Sequence, residues 1–143
     1  MTPRHLLRIA KELKSLASDP VEGFSLLYNP LNNPIQGFFI GPESTPYAGG
    51  LFSFTVQYPE DSLEQAPLVR VETPILHPGI SQGQVCLLAR WLPSRTLKWV
   101  LLQVKYMLQE PDFEDCVNLQ AVRVFREGKF EQRARELTLA SAH

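Results

Sequence analysis

Residues 51 to 58 alternate, with Phe52, Phe54, Val56 and Tyr58 on one side and Ser53, Thr55 and Gln57 on the other. A period of two fits a strand with one face in a core and one in water, and Pro59 closes it. Three further strand candidates surround it. Phe24 to Tyr28 is stopped by Asn29-Pro30, Ile35 to Ile40 follows Asn32-Asn33-Pro34, and Leu68 to Thr73 comes after. Between the second and third, Gly41 to Gly50 holds Gly, Pro and Ser and reads as a loop. Strands at such short spacing predict an antiparallel meander.

Helical spacing flanks this stretch. Leu6, Ile9, Ala10, Leu13, Leu16 and Ala17 share one face of an N-terminal helix. Thr2 is its candidate N-cap, Pro3 suits its first position, and Asp19-Pro20 ends it. Leu97, Val100, Leu101, Val104 and Leu108 make an apolar stripe within a helix expected from Thr96 to Gln109. Two more helices are expected over Asn118 to Arg126 and Lys129 to Ala140, separated by Gly128. The predicted class is α+β: an N-terminal helix, a four-stranded antiparallel sheet, a long loop, then C-terminal helices. No internal repeat or second domain is visible, so residues 1–143 are expected to form one core.

Charge narrows the partners. With 14 basic against 15 acidic residues the net charge is -1, so no global field draws the chain to nucleic acid or membrane. No apolar run reaches the roughly 20 residues that span a bilayer. Arg4, Arg8, Lys11 and Lys14 interrupt any signal-peptide core. Cys86 and Cys116 make a poor disulfide framework, which points to a reducing cytoplasmic or nuclear setting.

From His77 to Arg95 no periodicity is visible, and a loop of that length inside a compact domain is usually functional. It contains Cys86. An isolated cysteine is more often a small buried hydrophobe than a reactive group. No His or Cys flanks Cys86 or Cys116 at zinc-ligand spacing, so neither a metal nor a cofactor is expected. A cysteine hydrolase needs a positioned base, and His77 is the one plausible candidate. A histidine before proline, as in His77-Pro78, more often bonds backbone in a turn.

Taken together, three strings resemble the active-site region of the ubiquitin-conjugating enzyme family. They are His77-Pro78-Gly79-Ile80, Gly83-Gln84-Val85-Cys86-Leu87 and Trp91-Leu92-Pro93. The family has His-Pro-Asn shortly before its cysteine, Gly-x-x-Cys-Leu around it and Trp-x-Pro afterwards. Pro46-Tyr47-Ala48-Gly49-Gly50-Leu51-Phe52 is similar to its Pro-Tyr-x-Gly-Gly-x-Phe turn. Glu110-Pro111 through Asp115 is similar to its Asp-Pro-Asn-Pro-x-Asp loop, and Ala134-Arg135-Glu136 to its last helix. The resemblance implies the ubiquitin-conjugating fold and a transferase. Cys86 would take ubiquitin or a ubiquitin-like modifier from an activating enzyme as a thioester, in an ATP-dependent cascade. A substrate lysine or a ligase would then receive it, with Asp115 orienting the amine.

The resemblance also assigns His77 and Gly79 to the catalytic turn, and it assigns partner surfaces. Arg8 and Lys11 match the face offered to the activating enzyme. Glu64, Trp91, Pro93, Ser94 and Arg95 fall in the ligase-docking loops, although Glu64 stands where Phe is frequent and Arg95 where Leu is. The sharpest departure is Gly79, which stands where the family has asparagine. That amide braces the loop or stabilises the developing oxyanion, and loss of a comparable donor costs roughly 10²–10³ in rate. Gly79 therefore leaves a second expectation open: a weak or inactive conjugating-fold variant that binds ubiquitin or a partner as a scaffold.

Overall fold

The computed structural model describes residues 3–27, 34–59, 64–87, 91–114 and 118–143. Helix α1 (Pro3–Ser18) leads into strands β1 (Phe24–Leu26), β2 (Ile35–Ile40), β3 (Leu51–Gln57) and β4 (Leu68–Val71). A hairpin of β5 (Ile80–Ser81) and β6 (Gln84–Val85) follows, then helices α2 (Leu97–Gln109), α3 (Leu119–Arg126) and α4 (Phe130–Ser141). Among the described residues six strands form one sheet in the order β1-β2-β3-β4-β6-β5, with antiparallel pairing at each step.

The alternation that marks β3 sets the layering. Phe52, Phe54, Val56 and Tyr58 are buried, and the residues between them are half-buried or exposed. Phe39 of β2 stacks on Phe24 at 5.1 Å and on Phe52 at 5.0 Å, giving the sheet's inner face an aromatic centre. Burial of each such ring is worth roughly 1.5–3 kcal/mol. The α2 stripe of Leu97, Val100, Leu101, Val104 and Leu108 belongs to the same core. On the outer face Phe38, Ile40 and Leu51 remain exposed.

The first helix buries Ile9, Leu13 and Leu16 and packs against α2. Two of its predicted apolar positions, Leu6 and Ala10, are half-buried, and Ala17 is exposed. Thr2 lies outside the described residues. Thr96 caps α2, its Oγ1 accepting from the Trp99 N–H at 3.2 Å. Asn118 caps α3 in the same way, through the Ala121 N–H at 3.2 Å. None of the helices among the described residues is long and apolar enough to cross a membrane.

The sheet differs from the four-stranded expectation by addition. Where sequence periodicity ran out, residues 80–85 form the β5–β6 hairpin, which pairs with β4 through Val69–Val85 and Arg70–Gln84. Its two turn residues, Gln82 (φ 52°) and Gly83 (φ 84°), both adopt the left-handed conformation. Two-residue loops of that geometry match the twist of a tight hairpin, and glycine enters them without strain. Two-residue strands show no alternation, so the sequence had no visible period there.

Candidate active site

The hairpin decides where Cys86 sits. Val85 and Leu87 both turn into the core, so the residue between them faces solvent, and Cys86 is exposed. Its backbone N–H donates to Gly79 O at 3.1 Å, which ties the cysteine to the His77-Pro78-Gly79 turn. Cys86 also lines a groove of about 370 Å³ with Pro67, Leu68, Gln84 and Leu87.

His77 is almost entirely buried, with 1% of its surface exposed. Its Nδ1 accepts from the Gly79 N–H at 2.9 Å, and its Nε2–H donates to Met107 O at 2.6 Å. Both ring nitrogens are therefore engaged with main chain. Burial pushes its pKa down to about 4, the hydrogen bond to Met107 opposing this only in part. The ring is neutral at physiological pH and acts on the turn, not on Cys86. Its place follows from the Pro-Tyr-x-Gly-Gly-x-Phe turn as well. The buried Tyr47 hydroxyl donates to Leu76 O at 2.5 Å, and its ring lies 6.0 Å from the imidazole. Arg135, from the motif of the last helix, donates to Ala48 O and Thr45 O and so holds that turn against α4.

Gly79 carries no side-chain amide, and its φ lies outside the left-handed region. A Cβ added there would come within 2.6 Å of the Met107 methyl, the far end of a flexible side chain. What braces the turn comes from α3 instead. The Asn118 Nδ2 donates to Ile80 O at 2.9 Å and to His77 O at 3.2 Å, and its backbone N–H donates to Pro78 O at 3.0 Å. In the sequence Asn118 marks only a helix start. The missing amide at position 79 was the signal that another group must hold this turn.

Other sequence candidates are distributed around the site. Asp115 and Cys116 lie outside the described residues. The loop that leads to them is anchored by Phe113, which stacks on Phe125 at 4.0 Å and meets Phe130 edge-on at 4.8 Å. Trp91 is half-buried and meets Trp99 edge-on at 6.0 Å, while Arg95 lies over the Trp99 ring at 4.5 Å. Pro93, Ser94 and Glu64 are exposed. Among the described residues no group of three or more His, Cys, Asp or Glu side chains forms a metal site.

Arg8 departs from the picture of a solvated cation. Its Nε pairs with Glu12 at 3.0 Å, and Nη2 donates to Pro93 O at 2.8 Å and Arg95 O at 3.0 Å. Glu12 in turn accepts from the Leu97 N–H at the start of α2 through its second oxygen. Arg8 and Glu12 thus strap α1 to the segment before α2, joining two of the predicted partner surfaces. Lys11 is exposed.

A family model described as "Ubiquitin-conjugating enzyme" matches residues 8–138. The chain is 32% identical over 145 residues to the protein named "Ubiquitin-conjugating enzyme E2 S" of Drosophila virilis, covering 96% of this chain and 70% of that one. It is similar to the protein of the same name from Aquarana catesbeiana, at 34% identity over 149 residues, covering 99% of this chain and 71% of that one.

Proposed function

The chain belongs to the ubiquitin-conjugating enzyme family, and from that premise we propose that it accepts ubiquitin from an activating enzyme as a thioester on Cys86 and passes it to a substrate lysine or a ligase. The observation that carries this reading is the exposed Cys86, held through its own N–H by a turn whose histidine is buried and fully bonded. A hydrolase would need that imidazole as its base. Thioester exchange does not, because a thiolate attacks and an equivalent thiolate leaves.

The steps balance without a cofactor. The Cys86 thiolate attacks the carbonyl carbon of the incoming thioester, and the activating enzyme's sulfur departs as thiolate. A neutral substrate amine then attacks the Cys86-bound carbonyl, the C–N bond forms, and Sγ leaves. The amine's proton passes to solvent or to an acid–base residue, for which Asp115 is the family position. Ubiquitin is favoured over ubiquitin-like modifiers by the names of the relatives. The setting is cytoplasmic or nuclear.

The modifier is tested by incubation with activating enzymes, ATP and a panel of modifiers. Ubiquitin should give a reductant-sensitive adduct, and exclusive charging by another modifier would overturn the choice of ubiquitin. Lys11→Glu should slow charging severalfold at low salt and less at high salt, since exposed charges act on association. Arg8→Glu should do this and also destabilise the fold by about 1 kcal/mol or more in urea titration, because Glu12 and two carbonyls lose their donor. Equal stability for the two variants would remove the strap's contribution.

Gly79 bears on the second step. Attack by a thiol expels a good leaving group and needs little oxyanion support, whereas attack by an amine needs more. Charged protein should discharge faster to free cysteine than to free lysine in single-turnover reactions. Gly79→Asn should raise the lysine rate roughly tenfold or more while leaving the cysteine rate unchanged. The backbone accepts the change, and the Met107 methyl must swing aside. Fast lysine discharge that Gly79→Asn leaves unaltered would mean another donor already serves.

A further inference from the structure

Position 79 offers no carboxamide, yet the turn it belongs to is held on three sides. Pro78 O accepts from the Asn118 backbone, while His77 O and Ile80 O share the two hydrogens of the Asn118 amide. The remaining polar atom, Oδ1, accepts from the Ala121 N–H and caps α3. Every hydrogen on the Asn118 amide nitrogen is thus committed to main-chain carbonyls. It has none left to offer an oxyanion. The turn hands its position on, because Gly79 O is the acceptor for the Cys86 N–H at 3.1 Å.

We propose that Asn118 is a positioning residue for Cys86, its carboxamide bracing the His77–Ile80 turn from the α3 side in place of the amide that Gly79 lacks. This rests on the thioester reading of Cys86. The chain of contacts runs from the α3 cap through the turn to the nucleophile's own backbone. A brace of this kind fixes where the thioester carbonyl sits relative to the incoming nucleophile, and a shift of about 1 Å in such a position can cost on the order of 10²-fold in rate.

The chemistry of asparagine separates this role from plain helix capping. Asp and Ser keep an acceptor for the Ala121 N–H and are good N-caps, but neither has an amide to share between two carbonyls. Asn118→Asp and Asn118→Ser, with Asn118→Ala as the variant that loses both functions, are charged with ubiquitin and followed by single-turnover discharge to lysine, alongside thermal melts. The expected result is that Ser, which keeps the cap, melts closer to wild type than Ala does, while all three discharge roughly tenfold more slowly at saturating lysine. The lysine concentration at half-maximal rate should stay unchanged, and Gly79→Asn should rescue the Asn118 variants, raising their lysine rate by a larger factor than it raises that of the protein with Asn118 intact, because the restored amide serves the same turn. Asp and Ser variants that discharge at the wild-type rate would overturn the proposal and leave Asn118 a helix cap. A rate loss that merely tracks the melting temperature, without rescue by Gly79→Asn, would overturn it too. Failure of the thioester reading looks different: the wild-type protein would not charge at all.

Discussion

Cys86→Ser should turn the reductant-sensitive ubiquitin adduct into one that survives thiols, and Cys116→Ser should leave charging at the wild-type rate. Cys86 is presented to solvent because Val85 and Leu87 on either side enter the core. That geometry accepts a serine without repacking, since the side chain points out of the fold. An alkoxide is a much poorer leaving group than a thiolate, so the Cys86→Ser adduct should persist, with discharge much slower than from the thioester. Cys86→Ala should give no adduct. Charging that survives in Cys86→Ala and disappears in Cys116→Ser would transfer the whole account to the other cysteine. Electrophoresis with and without reductant reads all four proteins.

Acid should unfold the protein partly through His77. The imidazole is buried neutral with a pKa of about 4, against 6.5 for the exposed group, because burial penalises the charged form. The unfolded chain therefore binds a proton that the folded chain refuses. The sign follows: this contribution is fully present above pH 6.5 and is lost as pH falls towards 4. Its full size is about 3 kcal/mol, a large share of a typical domain's 5–15 kcal/mol. Urea unfolding of wild type and His77→Gln at pH 7 and pH 4.5 isolates it, because other titrating groups are common to both. The advantage of wild type over the variant should shrink by about 2–3 kcal/mol at the lower pH. Parallel losses in the two proteins would mean that His77 does not resist protonation.

The layered fold was legible because its elements are long enough to show a period. The alternation of 51–58, the stripe along Leu97 to Leu108 and the helix starts expected at Thr96 and Asn118 reappear as a strand, a helix and two N-capped helix starts. The β5–β6 hairpin was not legible, since strands of two residues carry no period. Burial of His77 matches its reading as a turn histidine, but its Met107 partner lies 30 positions away and leaves no local trace. Arg8 looked like a free cation on a helix face for a related reason. Its acceptors are backbone carbonyls 85 and 87 positions along, and any residue supplies a carbonyl. Asn118 is a similar case: in the sequence it only starts a helix, and its carbonyl acceptors lie 41 and 38 positions away.

The most direct measurement is the intact mass of the wild-type protein after incubation with activating enzyme, ATP and ubiquitin, followed by peptide mapping under non-reducing conditions. One added ubiquitin is expected, removed by thiol, with the modified peptide containing Cys86. Unmodified protein under conditions that charge a known conjugating enzyme, or an adduct mapped to Cys116, would contradict it.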